Sequence, residues 1–333
     1  MARTTIAVVG LGRVARSHID GILNSPDSCE LGAVVDVQKD RAQAFAEEYD
    51  APYYTDTAEA YADHAIDAVV LCVPHHLHTP LAVEACEAGK HVLVEKVMAR
   101  SVAEGERMVE AAEDAGVNLM IGQSRRFFPA LREAYERRGE IGRPTTLLYE
   151  FTPFFDADVA PDWWQSEEKT GGLVYPMLGA HSIDYTLWMV DSEPESVYAE
   201  GTATNPDFEG DDDATLLIRF EDGTQATNFL SINNRDPTHR GLVVGTEGTV
   251  RWEQSGDHAG GLVGVASTEM RIGGEPVTVP EDAPHNFTNQ MREFAAAIQE
   301  GREPEPSGAD VLTQLRVMEA AQGSANADER VRL

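Results

Sequence analysis

Apolar residues cluster in short runs through the first third of this chain: Ile6-Ala7-Val8-Val9, Leu31 to Val35, Ala68 to Val73, Val92-Leu93-Val94 and Val117 to Ile121. Strands buried on both faces of a parallel sheet have this pattern. Between the runs lie helical stretches at 13–24, 39–49, 78–88 and 101–115, and a short strand and helix at 53–54 and 57–61. In the second stretch Ala42, Phe45, Ala46 and Tyr49 share one face. This β-α alternation to about residue 122 predicts a doubly wound parallel sheet. The rhythm then changes. A helix at 129–138, a strand at 144–151 and an aromatic, acidic loop from Pro153 to Thr170 precede a helix at 177–190. Strands at 195–204, 213–220, 224–232, 240–245 and 248–253 follow without helices between them, with Glu221-Asp222-Gly223 and Thr246-Glu247-Gly248 as hairpin turns. They predict an open, mainly antiparallel sheet. Helices at 286–300 and 308–322 close the chain. The expected division is a first domain over 1–123 and a second over 124–333, with the last helix placed to return to the first domain.

The first apolar run breaks into Gly10-Leu11-Gly12-Arg13-Val14-Ala15. A strand ending in Gly-x-Gly-x-x-Ala and opening a helix is a dinucleotide-binding fingerprint. Gly10 allows the tight turn, Gly12 lets backbone approach a pyrophosphate, and Ala15 lets helix and strand pack closely. The phosphates rest on free N–H groups at the helix N-terminus, at Arg13 and Val14. Asp36 ends the second strand, 21 residues past Ala15. A carboxylate there accepts from ribose hydroxyls and repels a 2′-phosphate, which favours NAD; Lys39 and Arg41 close behind leave NADP open.

Charge changes the picture. The 333 residues include 57 acidic and 26 basic ones, for a net charge of −31, and the only lysines are Lys39, Lys90, Lys96 and Lys169. Such a surface repels nucleic acid and anionic membranes. It also repels itself unless salt screens it, over a Debye length of ~3 Å at molar salt against ~10 Å at 0.1 M. The composition resembles that of haloarchaeal cytoplasmic proteins. Hydrophobic residues make up 42% of the chain, enough for a sizeable core. No apolar run reaches the ~20 residues of a membrane helix, and no signal-like apolar segment precedes the first strand. Cys29, Cys72 and Cys86 are too few and scattered for a disulfide framework or a zinc site. A reducing cytoplasm is expected.

Several further stretches resemble the glucose-fructose oxidoreductase/inositol dehydrogenase family. Glu95-Lys96-Val97 is similar to its Glu-Lys-Pro motif, and Val73-Pro74-His75-His76-Leu77-His78 to its Pro-Asn-x-x-His. Ile121-Gly122-Gln123-Ser124-Arg125-Arg126-Phe127 matches the domain junction. Trp163-Trp164, Gly171-Gly172 and Gly179-Ala180-His181-Ser182-Ile183-Asp184 match a Trp…Gly-Gly…Gly-x-His-x-x-Asp stretch. The resemblance spans nearly the whole chain. It implies a two-domain NAD(P)-dependent oxidoreductase acting on sugars, sugar acids or cyclitols, assembled as a homodimer or homotetramer through the C-terminal sheet. Carried over, it makes Lys96 and His181 the catalytic residues. Two positions depart from the pattern: Val97 replaces Pro, and Met177 stands where many members carry Asp.

The chemistry agrees with those two residues. Oxidising a secondary alcohol removes a hydride and a proton, and the proton needs a base with a pKa near the working pH. His181 suits that role. Lys96 ends a parallel strand, where doubly wound sheets bind ligands, and its ammonium can hydrogen-bond and polarise the hydroxyl. The expected cofactor contacts are Gly10, Gly12, Arg13, Val14, Asp36, Val73, Pro74, His75, His78, Glu95, Lys96 and Gln123. Arg126, Trp163, Trp164, Tyr175 and Asp184 are the substrate-side candidates, and Tyr175 or Asp184 could support the imidazole in place of the missing Asp. His75, His76 and His78 lie too close in sequence to converge on one ion, so no metal is expected. Two other readings keep the fold: glycoside cleavage through transient oxidation by tightly held NAD, and cofactor binding for sensing.

Overall fold

The computed structural model describes residues 3–256, 265–280 and 283–333, and the chain forms two compact units. The first comprises Met1–Phe127 with Pro284–Leu312, the second Phe128–Ala283 with Thr313–Leu333. The first unit thus runs past 123 and takes back a segment from near the C-terminus.

In the first unit, β1 (Thr4–Val9), α1 (Arg13–Leu23), β2 (Cys29–Val35), α2 (Lys39–Tyr49), β3 (Tyr53–Tyr54), α3 (Thr57–Ala62), β4 (Ala68–Leu71), α4 (His78–Glu87), β5 (His91–Glu95), α5 (Val102–Ala115) and β6 (Leu119–Gly122) follow in order. The six strands are all parallel, in the order β3-β2-β1-β4-β5-β6. Sequence order reverses between β1 and β4, which places the ligand crevice of such a sheet at their C-terminal ends. The apolar runs explain the sheet, since Ile6, Val8, Val70, Leu93 and Met120 are fully buried. Each such side chain contributes ~1.5–3 kcal/mol on burial. Local signals fix the helix ends. The Ser101 hydroxyl accepts from Glu104 N–H at the start of α5, and Gly116 ends it in the left-handed conformation at φ 66°.

The second unit contains α6 (Pro129–Glu136), β7 (Pro144–Phe154), α7 (Glu167–Thr170), α8 (Ala180–Met189), β8 (Pro194–Thr202), β9 (Asp213–Phe220), β10 (Gln225–Ser231), β11 (Asn233–Gly245), β12 (Thr249–Gly256), β13 (Val265–Ile272) and β14 (Glu275–Pro276). Next come α9 (Asn286–Glu300), which belongs to the first unit, then α10 (Gly308–Ala327) and β15 (Val331–Arg332). Nine strands form one sheet in the order β14-β13-β12-β11-β7-β10-β9-β8-β15. It is antiparallel except for β10 beside β7. The strand expected at 240–245 begins earlier, at Asn233, because it pairs along β7, with a register shift between Asn233 and Thr238. The edge strands β14 and β15, and β13 next to β14, do not follow from the sequence pattern. They are short or polar and take their conformation from their neighbours.

One face of this sheet is covered by aromatic packing. The Trp252 indole N–H donates to the Tyr185 hydroxyl of α8 at 2.8 Å, and the Tyr149 hydroxyl lies 2.8 Å from Nε2 of His239. The other face carries Leu148, Leu217 and Phe229, each more than two-fifths exposed. Thr227 pairs with both Leu148 and Leu217, so these residues share that face with Phe229, two positions along β10.

Candidate active site

In the first unit, the C-terminal ends of β1, β4, β5 and β6 bring Gly10 to Gly12, Val73 and Pro74, Glu95 and Lys96, and Gln123 to one edge of the sheet. Gly10 has φ 84°, and a Cβ there would lie 2.7 Å from the Cys72 carbonyl oxygen, so only glycine lets β1 turn against β4. Gly12 is different. A Cβ there would meet nothing within 4 Å, which leaves the backbone open to a ligand. Gly12 caps α1 without a side-chain hydrogen bond, and no acidic residue occupies the first turn. An open backbone at an uncapped helix N-terminus is a donor set that fits a pyrophosphate.

Asp36 is buried beside this loop. Its Oδ2 accepts from Leu11 N–H at 3.0 Å and its Oδ1 from Gln38 N–H at 2.8 Å. Arg41 also reaches Oδ2, at 3.2 Å. The carboxylate therefore ties the end of β2 to the glycine loop, next to a cation. This donor and acceptor set suits the ribose end of a dinucleotide.

The next wall is the turn after β4. His75 is buried with its ring 5.6 Å from that of His78. The His78 ring is committed to backbone: Nδ1 lies 2.8 Å from the Val97 carbonyl oxygen and Nε2 2.9 Å from that of Val73. His78 thus clamps the turn after β4 to the segment after Lys96. Burial pushes its pKa down, against the pull of those carbonyls.

Lys96 is buried, 9% exposed, at the end of β5. Its backbone N–H donates to Glu95 Oε2 at 3.2 Å. Burial pushes its ammonium down to about 8 from the ordinary 10.5; Glu95 opposes that shift and Arg125 adds to it. The Lys96–Val97 peptide is cis. Glu95 has a partner that sequence reasoning missed. Nε2 of His18, on α1, lies 2.6 Å from Glu95 Oε1. The available signal was a lone histidine on the buried face of the helix that follows the glycine loop. Gln123 is buried at the end of β6, and Arg126 is half-buried in the turn that follows.

The second unit holds the other candidates. His181 lies in the first turn of α8, 7% exposed, with its ring edge-on to Phe151 at 6.0 Å. Instead of one regular helix over 177–190, a π-helical turn at Tyr175–Gly179, including Met177, leads into α8. Such turns are frequent at functional sites. Asp184 is buried one turn beyond His181. Tyr175 is also buried, and its hydroxyl donates to Asp211 Oδ2 at 3.2 Å, so it is engaged with the Asp211 loop. Trp164 packs against Phe155 at 4.8 Å as a core anchor, and Trp163 is half-buried edge-on to it at 6.1 Å. Among the described residues no cluster of three or more His, Cys, Asp or Glu is placed to hold a metal ion.

The chain matches known proteins over most of its length. Residues 4–123 match the family model described as an oxidoreductase family with an NAD-binding Rossmann fold, and residues 129–251 match the Gfo/Idh/MocA C-terminal domain. The chain belongs to this Gfo/Idh/MocA family and is an NAD(P)-dependent oxidoreductase. It is 28% identical to the scyllo-inositol 2-dehydrogenase (NAD(+)) of Bacillus subtilis, covering 96% of this chain and 93% of that one. It is 25% identical to the D-xylose 1-dehydrogenase [NADP(+)] of Haloarcula marismortui, covering 98% and 92%. Among solved structures, the aldose-aldose oxidoreductase of Caulobacter crescentus superposes with a TM-score of 0.88 at 26% identity, over 100% of both chains.

Proposed function

We propose that this protein oxidises a secondary hydroxyl of a sugar, sugar acid or cyclitol, with Lys96 polarising the hydroxyl and His181 accepting its proton. The observation that carries the reading is Lys96, a buried lysine at the ligand end of a parallel strand whose pKa is pushed down to about 8. An ammonium with that value donates a strong hydrogen bond near neutral pH and lowers the pKa of the alcohol it holds. The bound nicotinamide supplies the hydride acceptor. Gly10, Gly12, Arg13 and Val14 hold the pyrophosphate, and Asp36 receives the ribose. Val73, Pro74, His75, Glu95 and Gln123 line the way to Lys96, with His78 holding that wall in place. Arg126, Trp163 and Asp184 are the substrate-side candidates. Relatives named for scyllo-inositol and D-xylose support a polyhydroxylated substrate.

The test is to mix protein, NAD or NADP, and a panel of inositols, aldoses and sugar acids in molar potassium chloride, following absorbance of reduced nicotinamide. Steady accumulation is expected, faster with NAD. Product without net reduced nicotinamide, or cofactor binding without turnover on the whole panel, would overturn the reading.

We further propose a reducing, salt-rich cytoplasm and a homodimer or homotetramer. The net charge of −31 and three buried free cysteines support the first. The exposed Leu148, Leu217 and Phe229 on one sheet face support the second, since a contiguous apolar patch marks an interface. Light scattering should report an oligomer in molar salt, and Phe229→Asp should reduce it to monomer. A wild-type monomer at every salt concentration would refute the assembly.

A further inference from the structure

The first unit buries an ionic hydrogen bond that the nucleotide fingerprint does not explain. His18 is fully buried on α1, and its Nε2 lies 2.6 Å from Glu95 Oε1. The core cluster of this unit takes in Ala15 and Ile19 from the same helix and Leu93 from β5, together with Phe127 and Phe294. A buried polar pair in such a place is weak evidence for stability, because well-packed apolar side chains of the same volume do as well or better. Its position beside Lys96 needs another reason.

The pair is held rigidly. Phe287 of α9 meets the His18 ring edge-on, with centroids 4.9 Å apart at 81°. One turn along α1, a Cβ on Gly21 would lie 2.7 Å from the Phe287 carbonyl oxygen, so glycine is what lets α9 come this close. On the other side, a Cβ on Gly122 would lie 3.2 Å from Glu95 Oε1. Among the described residues, Nδ1 of His18 has no hydrogen-bond partner. A proton there would be a buried unpaired donor, so the favoured tautomer carries it on Nε2 and donates to Glu95. Glu95 then accepts on both oxygens, from His18 on one and from the Lys96 N–H on the other.

We propose that His18 is a positioning residue that acts through the Glu95 carboxylate to set the charge and aim of Lys96. The proposal rests on the role given to Lys96 above. The groups facing this centre are Glu95 and Arg125 toward Lys96, and His18, Cys72 and His78 toward Glu95. With its donor removed, the carboxylate is less well held and supports the neighbouring ammonium less.

The experiment uses the full-length protein without cofactor, with lysines labelled at 13Cε. Four lysines give four signals, and Lys96→Arg assigns one. The Lys96 midpoint is expected near 8 in the wild type and lower by about half a pH unit or more in His18→Leu. It should fall comparably in Glu95→Gln, and adding His18→Leu to Glu95→Gln should change nothing further. His18→Gln keeps a donor and should hold the midpoint near the wild-type value. An unmoved midpoint in His18→Leu, or an equal drop in the Glu95→Gln background, overturns the proposal. If His18→Leu does not fold, an unmoved midpoint in Glu95→Gln overturns it, and a drop there with His18→Gln unchanged supports it. Turnover of Lys96→Met is scored separately: if it stays at the wild-type rate while the midpoints shift as expected, the role of Lys96 fails and the positioning pair stands.

Discussion

Lys90 precedes β5 and Lys96 follows it, and both side chains are buried, at 6% and 9% exposure. The other two lysines of the chain, Lys39 and Lys169, are exposed. At the N-terminal end of the sheet, the Lys90 ammonium donates to the carbonyl oxygens of Asp63 at 2.8 Å and Ile66 at 2.7 Å. It closes the turn before β4. At the C-terminal end, Lys96 sits between Glu95 and Arg125, where burial drives its pKa down. In a sequence nearly emptied of lysine, scarcity flags both residues and does not tell them apart. The end of the parallel strand does, because loops at the C-terminal edge carry ligands and those at the other edge carry architecture.

Two substitutions, read in three ways, test that contrast. The largest expected effect is on turnover: Lys96→Met should lower the rate of nicotinamide reduction by about a thousand-fold while the protein still binds cofactor. A loss of less than about ten-fold, well under the roughly hundred-fold floor of such roles, would erase the distinction between the two ends. The next effect is on stability and pH. The folded pKa of Lys96 is depressed from 10.5 to about 8, so between those values the unfolded chain binds more protons. Stability therefore rises with pH across that window, and the burial cost is fully present below it. Lys96→Met should be more stable than wild type at neutral pH, by on the order of 3 kcal/mol. That advantage should fade as pH rises toward 10.5. Urea unfolding in molar salt at several pH values measures it, and a difference independent of pH would contradict the depressed value. The smallest effect should come from Lys90→Met, which takes the ammonium donor from the buried Ile66 carbonyl and leaves the Asp63 carbonyl with the Ile66 N–H. It should cost about 2 kcal/mol of stability and leave turnover per folded molecule unchanged. A large change in turnover with no loss of stability would place chemistry at the wrong end of β5.

Much of the nucleotide-binding unit was legible because its signals are local. Apolar runs, the Gly-x-Gly-x-x-Ala turn and Asp36 each work within a few residues of chain, and the backbone geometry at Gly10 and Gly12 follows from their lack of a Cβ. Interactions that cross long stretches were not legible. The His18–Glu95 contact joins positions 77 residues apart and leaves no periodic trace. Tyr175, two residues from Met177, looked like a partner for His181, yet its hydroxyl faces Asp211, brought in from a distant loop. The π-helical turn before His181 was equally hidden, since Tyr175 to Gly179 fit an ordinary helical pattern as well. Strand β13 and the edge strand β15 depend on partners rather than on their own residues.

The segment Pro284–Leu312 completes the first unit from the far end of the chain. Through α9 it supplies Phe287 against His18 and Asn289 Nδ2, which donates to the Phe127 carbonyl oxygen at 3.3 Å. During synthesis, the glycine loop leaves the ribosome first, but its supporting helix comes only after β7 to β14 of the second sheet have been made. A nascent chain stalled before residue 284 would therefore carry the complete fingerprint on an unfinished scaffold. The motif among the first residues made thus waits for a helix supplied from near the other end of the chain.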